Sequence, residues 1–135
     1  MPSGRLIIRG VKMVKELNAE EWDSYLKNAD KPVVVEFWHQ QCIWCRRLAP
    51  IYEQLEKEYP GAIFAKLDIL ANEENNGVGQ RYGIMGTPTI KVLCNGREGG
   101  EIVGFMEKQQ LKAELDGILS RSDTCLKQST PIAKK

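Results

Sequence analysis

The chain has 135 residues, of which 42% are hydrophobic and 27% charged, a composition typical of one soluble globular domain rather than a disordered protein. Nineteen basic and eighteen acidic residues leave a net charge of +1, which argues against a general attraction to nucleic acid or anionic membranes. No apolar run reaches the roughly 20 residues that a membrane-spanning helix needs. We therefore expect neither nucleic acid nor a membrane as a partner.

The N-terminal residues show no secretory signal. Between Met1 and Arg9 the longest apolar stretch is Leu6-Ile7-Ile8, whereas a signal peptide needs about 7–15 apolar residues and a cleavage site. On this basis the sequence predicts a cytoplasmic protein.

Apolar periodicity predicts strands alternating with helices, followed by a hairpin. The first half contains an edge strand over Lys12–Leu17, a helix capped by Asn18 and ended by Lys31-Pro32, a buried strand over Val33–Trp38 and a helix from about Trp44 to Tyr59. The second half contains a strand over Ala62–Ile69, a short helix from Asn72 to Arg81, a hairpin of Thr89–Leu93 and Glu101–Phe105 around Asn95-Gly96, and a helix over Glu107–Leu119. The hairpin loop is expected to exceed two residues. This order predicts an α/β fold in which helices flank both faces of a central mixed β-sheet.

The domain boundaries follow from the same pattern. Residues 1–11 are predicted to form an N-terminal extension and residues 12–120 the folded domain. Residues 121–135 are polar and lack a periodic apolar face, so we expect a flexible C-terminal tail.

Cys42 and Cys45, separated by two residues at a predicted helix start, form the main candidate site. The helix N-terminus favours an anion, so we expect a lowered pKa for the Cys42 thiol and a nucleophilic thiolate near neutral pH. Cys45, one turn further into the helix, is expected to be more buried. It would resolve the mixed disulfide that Cys42 forms with a substrate.

Two other uses of this cysteine pair stay open at the level of sequence. A zinc or iron–sulfur site needs about four ligands, but Cys94 and Cys125 are far apart and His39 is the only histidine, so no metal is predicted. A purely structural disulfide is the second alternative. We expect Cys94 to lie in a surface turn and Cys125 in the tail, each as an inert thiol or a regulatory one. His39 is either a thiolate-stabilising group or an ordinary loop residue.

Glu36 stands inside an otherwise apolar strand. Burial there disfavours the charged carboxylate and is expected to raise its pKa. Glu36 is therefore a candidate proton acceptor for Cys45, or, alternatively, only the partner of Lys66 in a charge pair.

From about Lys12 to Leu119 the chain resembles the thioredoxin family. The matching motifs, in order, are Val33-Val34-Val35-Glu36-Phe37-Trp38, Cys42-x-x-Cys45-Arg46-x-Leu48-Ala49-Pro50, Lys66-Leu67-Asp68, Tyr82-Gly83-Ile84-Met85-Gly86-Thr87-Pro88-Thr89, and Asn95-Gly96 followed by Gly104. The resemblance implies the thioredoxin fold. Several motifs in the family's order are far more specific than an isolated CxxC.

The resemblance also implies roles around the redox pair. Pro88 would follow a cis peptide bond opposite the cysteines, and the backbone of Thr87 would pair with an extended substrate segment. Trp38 would pack under the redox ring, and Gly104 would allow close approach of a substrate backbone. No bound cofactor is implied, because both electrons reside in the Cys42–Cys45 pair.

The sequence departs from the family at the site itself. Ile43-Trp44 replaces the usual Gly-Pro between the cysteines, Gln41 stands where a tryptophan is common, and Glu36 replaces an aspartate. Ile43 and Trp44 are predicted to contribute to substrate binding, although Trp44 could instead pack against the domain.

We expect a monomeric protein disulfide oxidoreductase, mainly a reductase, that acts on disulfide-containing proteins and is recharged by a thioredoxin-reductase-like donor. The alternatives are a thioredoxin-fold interaction module for one dedicated partner, and a disulfide oxidase or isomerase.

Overall fold

Five strands form one mixed sheet in the computed structural model, which describes residues 14–132, with side chains described for residues 14–121. The strands are β1 (Lys15–Leu17), β2 (Val33–Trp38), β3 (Ile63–Asp68), β4 (Thr89–Cys94) and β5 (Arg97–Val103). Their order across the sheet is β1-β3-β2-β4-β5. Strand β3 pairs in parallel with β1 and β2, whereas β4 pairs antiparallel with β2 and β5. The mixed sheet predicted from the sequence is thus confirmed.

Helices cover both faces of this sheet. The described part of the chain contains α1 (Ala19–Asn28), α2 (Ile43–Glu58), α3 (Glu73–Arg81) and α4 (Lys108–Ile132). Leu48 and Tyr52 of α2 share a buried cluster with Leu111 of α4 on one face. Trp22 of α1 and Val78 of α3 belong to the cluster on the other face. The apolar side chains alternate along the strands, so each face of the sheet has its own core.

The loop between β2 and α2 lies at the carboxyl end of the two central parallel strands. Strand β2 is apolar apart from Glu36, and its side chains are buried up to Phe37. It ends at Trp38, and α2 begins at Ile43. Open α/β sheets place their functional groups at this end of the strands. Residues 39–42 therefore occupy the position that the predicted strand–helix order assigns to the site.

The β4–β5 hairpin is tighter than predicted. Cys94 pairs with Arg97 across a loop of only Asn95 and Gly96, whose φ angles are +57° and +80°. Asparagine and glycine tolerate such positive φ values, which a two-residue hairpin loop requires. The expectation of a longer loop was wrong because the first half of β5 is polar and glycine-rich and lacks the usual strand pattern.

Helix α4 is longer than predicted and continues to Ile132, through most of the segment expected to be a tail. No glycine or proline interrupts residues 118–130, so local sequence offers no strong stop signal. The predicted N-terminal extension, residues 1–11, lies outside the described residues, and the domain boundaries themselves stay a prediction. None of the helices in the described region is both long enough and apolar enough to cross a membrane.

Candidate active site

Cys42 and Cys45 form a disulfide at the start of α2, with their Cα atoms 5.2 Å apart. Cys42 is the N-cap residue of the helix, and its Sγ accepts a hydrogen bond from the Cys45 N–H at 3.1 Å. The Cys42 carbonyl accepts from the Arg46 N–H at 3.1 Å, which continues the helical pattern. Both cysteines are buried. The sulfur of Cys42 thus lies against the Cys45 N–H, a backbone group of the first turn that has no partner within the helix.

The loop before Cys42 is held by its own short hydrogen bonds. The Cys42 N–H donates to the His39 carbonyl at 3.2 Å, and the Gln41 N–H donates to His39 Nδ1 at 3.2 Å. A guanidinium nitrogen of Arg46 donates to the Gln40 carbonyl at 3.3 Å. His39 therefore shapes the loop that presents Cys42. Its direct action on a thiolate stays a hypothesis.

Thr87 and Pro88, in the loop before β4, lie beside Gly104, in the loop after β5. The Thr87–Pro88 peptide bond is cis, as the resemblance implies. The Gly104 N–H donates to the Pro88 carbonyl at 2.8 Å, and Gly104 has a φ of +90°. A side chain at this φ would be strained, so glycine suits the position. The contact brings the predicted substrate-binding residues of two separate loops together.

Two large apolar side chains at the beginning of α2 remain exposed. Ile43 is 56% exposed and Trp44 is 49% exposed. The Trp44 ring packs against Phe105 with centroids 5.4 Å apart, and the Arg47 guanidinium lies 5.1 Å from its centroid. Trp44 therefore has one packed face while much of its surface is open to solvent. The packing interpretation therefore describes one face of Trp44, and its role in docking a substrate stays a prediction.

Glu36 is buried in β2, with only 3% of its surface exposed. Burial raises the pKa of this carboxyl from its usual 4.5 to about 8, although the positive charge of Lys66 lowers that pKa and the negative charge of Glu16 raises it. Lys66 is the register neighbour of Glu36 on β3. Glu36 can therefore gain or lose a proton near neutral pH, as a proton acceptor must.

Lys66 forms its ion pair with Glu16 of β1, at 3.8 Å between Nζ and Oε1. The same glutamate accepts a hydrogen bond from the Trp38 indole N–H at 3.3 Å, through Oε2. Lys66 Nζ also lies 4.5 Å from the centroid of the Trp38 ring. Among the described residues the ion pair of Lys66 is thus with Glu16, and Lys66 acts on Glu36 as a nearby positive charge. The position of Trp38 beneath the redox ring stays a prediction.

Cys94 is not a surface residue, contrary to the prediction from sequence. It is the last residue of β4 and is fully buried. The prediction placed it in the turn because Asn95-Gly96 follows directly, but the two-residue loop keeps Cys94 inside the strand. Cys125, the other isolated cysteine, is not among the residues whose side chains are described.

Among the residues whose side chains are described, no group of three or more potential metal ligands occurs.

The fold brings three further residues to this region that the sequence analysis does not identify as functional. Glu16 contacts Trp38 and Lys66, as described above, and Phe105 supports Trp44. Met85, in the loop before Pro88, is 97% exposed. A large apolar side chain that is almost fully exposed beside a candidate site is the kind of signal that marks a contact surface. Of the three, only Met85 lies within a motif that matches the family, so only Met85 could have been suspected from the sequence.

Comparison with known proteins identifies the family of this chain. Residues 13–117 match the thioredoxin family model. The chain is 33% identical over 106 residues to chloroplastic thioredoxin M-type of Pisum sativum, covering 78% of this chain and 60% of that protein. It is 38% identical over 104 residues to chloroplastic thioredoxin F-type of Spinacia oleracea, covering 76% of this chain and 54% of that protein. The chain thus spans between half and two thirds of the length of these two relatives.

A solved structure supports the same relationship. The crystal structure of spinach chloroplast thioredoxin F in its short form superimposes with a TM-score of 0.67 at 38% identity, covering 76% of this chain and 91% of that one. At this level of identity, the likeness extends beyond the fold alone. The predicted thioredoxin fold, with its mixed five-stranded sheet, is confirmed.

The prediction of a cytoplasmic protein is wrong. The relatives of M and F type are chloroplastic proteins. The prediction rested on a missing apolar signal core, which tests only for secretion. Plastid targeting uses amphipathic segments rich in serine and arginine, which that criterion does not detect.

Proposed function

The chain belongs to the thioredoxin family, and we propose that it reduces disulfide bonds of other proteins by dithiol–disulfide exchange through Cys42 and Cys45. The observation that carries the proposal is the disulfide at the N-terminus of α2, with Cys42 as the capping residue. The chemistry needs only these two sulfurs, since both electrons are stored as two thiols and released when the disulfide forms.

In the first step the Cys42 thiolate attacks a sulfur of the substrate disulfide. A Cys42–substrate disulfide forms, the substrate S–S bond breaks, and one substrate sulfur leaves as a thiolate. The N-terminal N–H groups of α2 favour the attacking thiolate, because they place partial positive charge beside its sulfur.

In the second step Cys45 attacks Cys42 and releases the other substrate sulfur. The Cys45 thiol must lose its proton, and we assign Glu36 as the acceptor. A carboxyl with a pKa of about 8 takes up a proton more readily than one at 4.5. Two electrons pass to the substrate, which becomes a dithiol once the departing thiolate is protonated, and the enzyme ends as the disulfide.

The substrate would lie across the exposed surface around the disulfide. Its docking surface comprises Ile43, Trp44, Thr87, Pro88 and Gly104. Trp44 and Ile43 offer apolar contact area, and the Thr87 backbone offers pairing to an extended strand. Trp38, half-buried at the end of β2, would support the redox pair from below.

We also place the protein in the plastid, by analogy with its M-type and F-type relatives. Its substrates would be disulfide-containing proteins and its electron donor a reductase of the thioredoxin-reductase type. We propose that it works as a monomer.

The reduction potential tests the direction of the reaction. Equilibration of the Cys42–Cys45 pair in dithiothreitol buffers, followed by tryptophan fluorescence, is expected to give a value near that of thioredoxin, about −270 mV. A value near that of disulfide isomerase, about −180 mV, would favour the oxidase or isomerase alternative instead.

Trp44→Ala is expected to lower kcat/KM for reduction of a protein disulfide by about five- to tenfold, because an exposed aromatic anchor is lost. The rate with a small aromatic disulfide, which needs no docking surface, should stay within about twofold of the wild-type rate. Stopped-flow reduction of insulin and of 5,5′-dithiobis(2-nitrobenzoate) by the reduced protein measures both. Trp44→Phe, which keeps an aromatic ring over Phe105, is the matched control. Equal losses with both substrates would argue against docking through Trp44.

A further inference from the structure

Three charged residues form one row across three strands. In the register of the sheet, Glu16 of β1 lies opposite Lys66 of β3, and Lys66 lies opposite Glu36 of β2. Side chains at register positions of neighbouring strands lie on the same face of a sheet. This face is the one covered by α2, since Phe64, two residues before Lys66, packs in the cluster that contains Tyr52 of α2. The helix that carries both cysteines therefore lies over the row.

Exposure to solvent increases along this row. Glu36 is buried, whereas the side chains of Lys66 and Glu16 are 27% and 47% exposed. Glu16 uses both carboxylate oxygens, one 3.8 Å from Lys66 Nζ and the other accepting from the Trp38 indole N–H at 3.3 Å. Trp38 and Glu36 are two residues apart on β2 and thus share a face. Glu16 therefore fixes two neighbours of Glu36 while lying at the solvent-exposed end of the row.

We propose that Glu16 is a positioning residue of the exchange reaction, which holds Lys66 partly away from Glu36 and keeps Glu36 ready to accept the Cys45 proton. The proposal rests on the proposed function, because it needs Glu36 to act as the acceptor. The proton moves from the Cys45 sulfur to a Glu36 oxygen as the Cys42–Cys45 bond forms. From Glu36 it is released to the departing substrate thiolate or to water.

Glu16 has two electrostatic effects on Glu36, and both disfavour the charged carboxylate form of Glu36. Glu16 carries a negative charge about two strand spacings, or roughly 10 Å, from Glu36, which disfavours a second negative charge there. Glu16 also competes with Glu36 for the Lys66 ammonium. Burial is the main cause of the raised pKa of Glu36; Lys66 lowers that pKa, and Glu16 raises it. Without Glu16, Lys66 could pair with Glu36 alone and hold it as a carboxylate.

The other groups around Glu36 do not replace this effect. Strand β4 offers apolar Ile90 as the register neighbour of Glu36. From α2, the Tyr52 hydroxyl lies within hydrogen-bonding distance of two backbone carbonyls, those of Val34 at 2.9 Å and Ala65 at 2.8 Å. Burial raises the pKa of Tyr52 well above 10, so it stays neutral. Burial raises the pKa of Glu16, and the negative charge of Asp68, further along β3, adds a smaller effect in the same direction. Lys66 and Glu16 are thus the charges that set the state of Glu36.

The test is a titration of Glu36 in the oxidised protein, followed by carbon NMR of its carboxyl group. Glu16→Gln is expected to lower the pKa of Glu36 by about 0.5–1, since it removes a nearby charge and frees Lys66. Lys66→Gln is expected to shift it in the opposite direction. Glu58→Gln is the matched control, because Glu58 pairs with Lys108 and Lys112 at the far end of α2. It should leave the titration of Glu36 unchanged.

A second measurement connects the titration to the reaction. The pH dependence of the single-turnover rate with insulin should shift in Glu16→Gln by the same amount and in the same direction as the titration of Glu36. An unchanged titration, or a shifted titration with an unchanged rate profile, would overturn the proposal. The NMR experiment uses the oxidised protein and does not depend on turnover. Failure of the proposed function would appear separately, as a wild-type protein that does not reduce disulfides.

Discussion

Replacing Cys42 with serine is expected to abolish reduction of protein disulfides, with a loss of at least about 10³-fold in rate. A serine hydroxyl is essentially un-ionised at neutral pH and does not attack a disulfide, so the first covalent step cannot begin. Cys45→Ser should behave differently, because Cys42 can still attack while nothing resolves the product. That variant is expected to accumulate a mixed disulfide with the substrate. Single-turnover assays with insulin, followed by mass spectrometry under non-reducing conditions, distinguish the two outcomes.

The control for these variants is Cys125→Ser, which removes a thiol outside the pair and should keep wild-type activity. If Cys42→Ser retained full reductase activity, the assigned nucleophile would be wrong. The interaction-module alternative would be favoured by another pair of results: the wild-type protein shows no turnover, and Cys42→Ala still binds the partner protein with wild-type affinity.

Replacing Glu36 with glutamine is expected to stabilise the folded protein above about pH 8, by about 2–4 kcal/mol. Folding raises the pKa of Glu36 from 4.5 to about 8. The unfolded chain therefore releases this proton at lower pH than the folded chain does. The contribution of Glu36 to stability is fully present below pH 4.5 and is lost progressively as pH rises through about 8. Glutamine is neutral at every pH, so the Glu36→Gln protein does not lose this stability as pH rises.

The size of the effect follows from the two pKa values. They differ by about 3.5, and each pH unit corresponds to about 1.4 kcal/mol, which gives an upper limit near 5 kcal/mol. Rearrangement and water penetration in the folded state reduce that figure. Urea unfolding of wild type and Glu36→Gln at intervals from pH 5 to 9 measures the difference, which should grow with pH.

Glu58→Gln again provides the control for the stability series. Ion pairs with Lys108 and Lys112 lower the pKa of Glu58 to about 2. Its contribution is therefore present above pH 4.5 and is lost only as pH falls through about 2. Between pH 6 and 9 the difference between wild type and Glu58→Gln should stay constant. A constant difference for Glu36→Gln as well would show that Glu36 does not titrate in this range.

Much of the fold could be predicted because the strongest elements have local signals. The strand predicted over Val33–Trp38 has those same bounds in the structure, and the helix predicted from about Trp44 to Tyr59 is observed over Ile43–Glu58. The predicted cap of α1 also forms, since Asn18 is the N-cap residue and its N–H donates to the Glu21 carboxylate at 3.1 Å. Apolar periodicity and capping depend on residues within one or two turns of each other, so the sequence alone carries them.

The errors have an equally physical explanation. The first half of β5 is polar and glycine-rich, and it is a strand because β4 pairs with it, not because of its own propensity. Cys94 is buried, contrary to the prediction, because β4 ends one residue later than predicted. The sequence pattern ends the strand at Leu93, whereas the strand includes Cys94. Helix α4 continues past the predicted boundary because the apolar pattern stops there while helical propensity does not.

Motif order and local patterns are enough to identify the family, the order of strands and helices, and a cysteine pair at the start of a helix. These features depend on motif spacing and on contacts between residues close together in the chain. The folded domain is needed to bring Glu16, Lys66 and Glu36 into one row, Phe105 against Trp44, and Gly104 against Pro88. Residues 16, 36 and 66 lie in three separate strands, and parallel pairing with β3 sets their register. Because a shift of one residue would turn a side chain to the opposite face, such a row exists only once the sheet has formed.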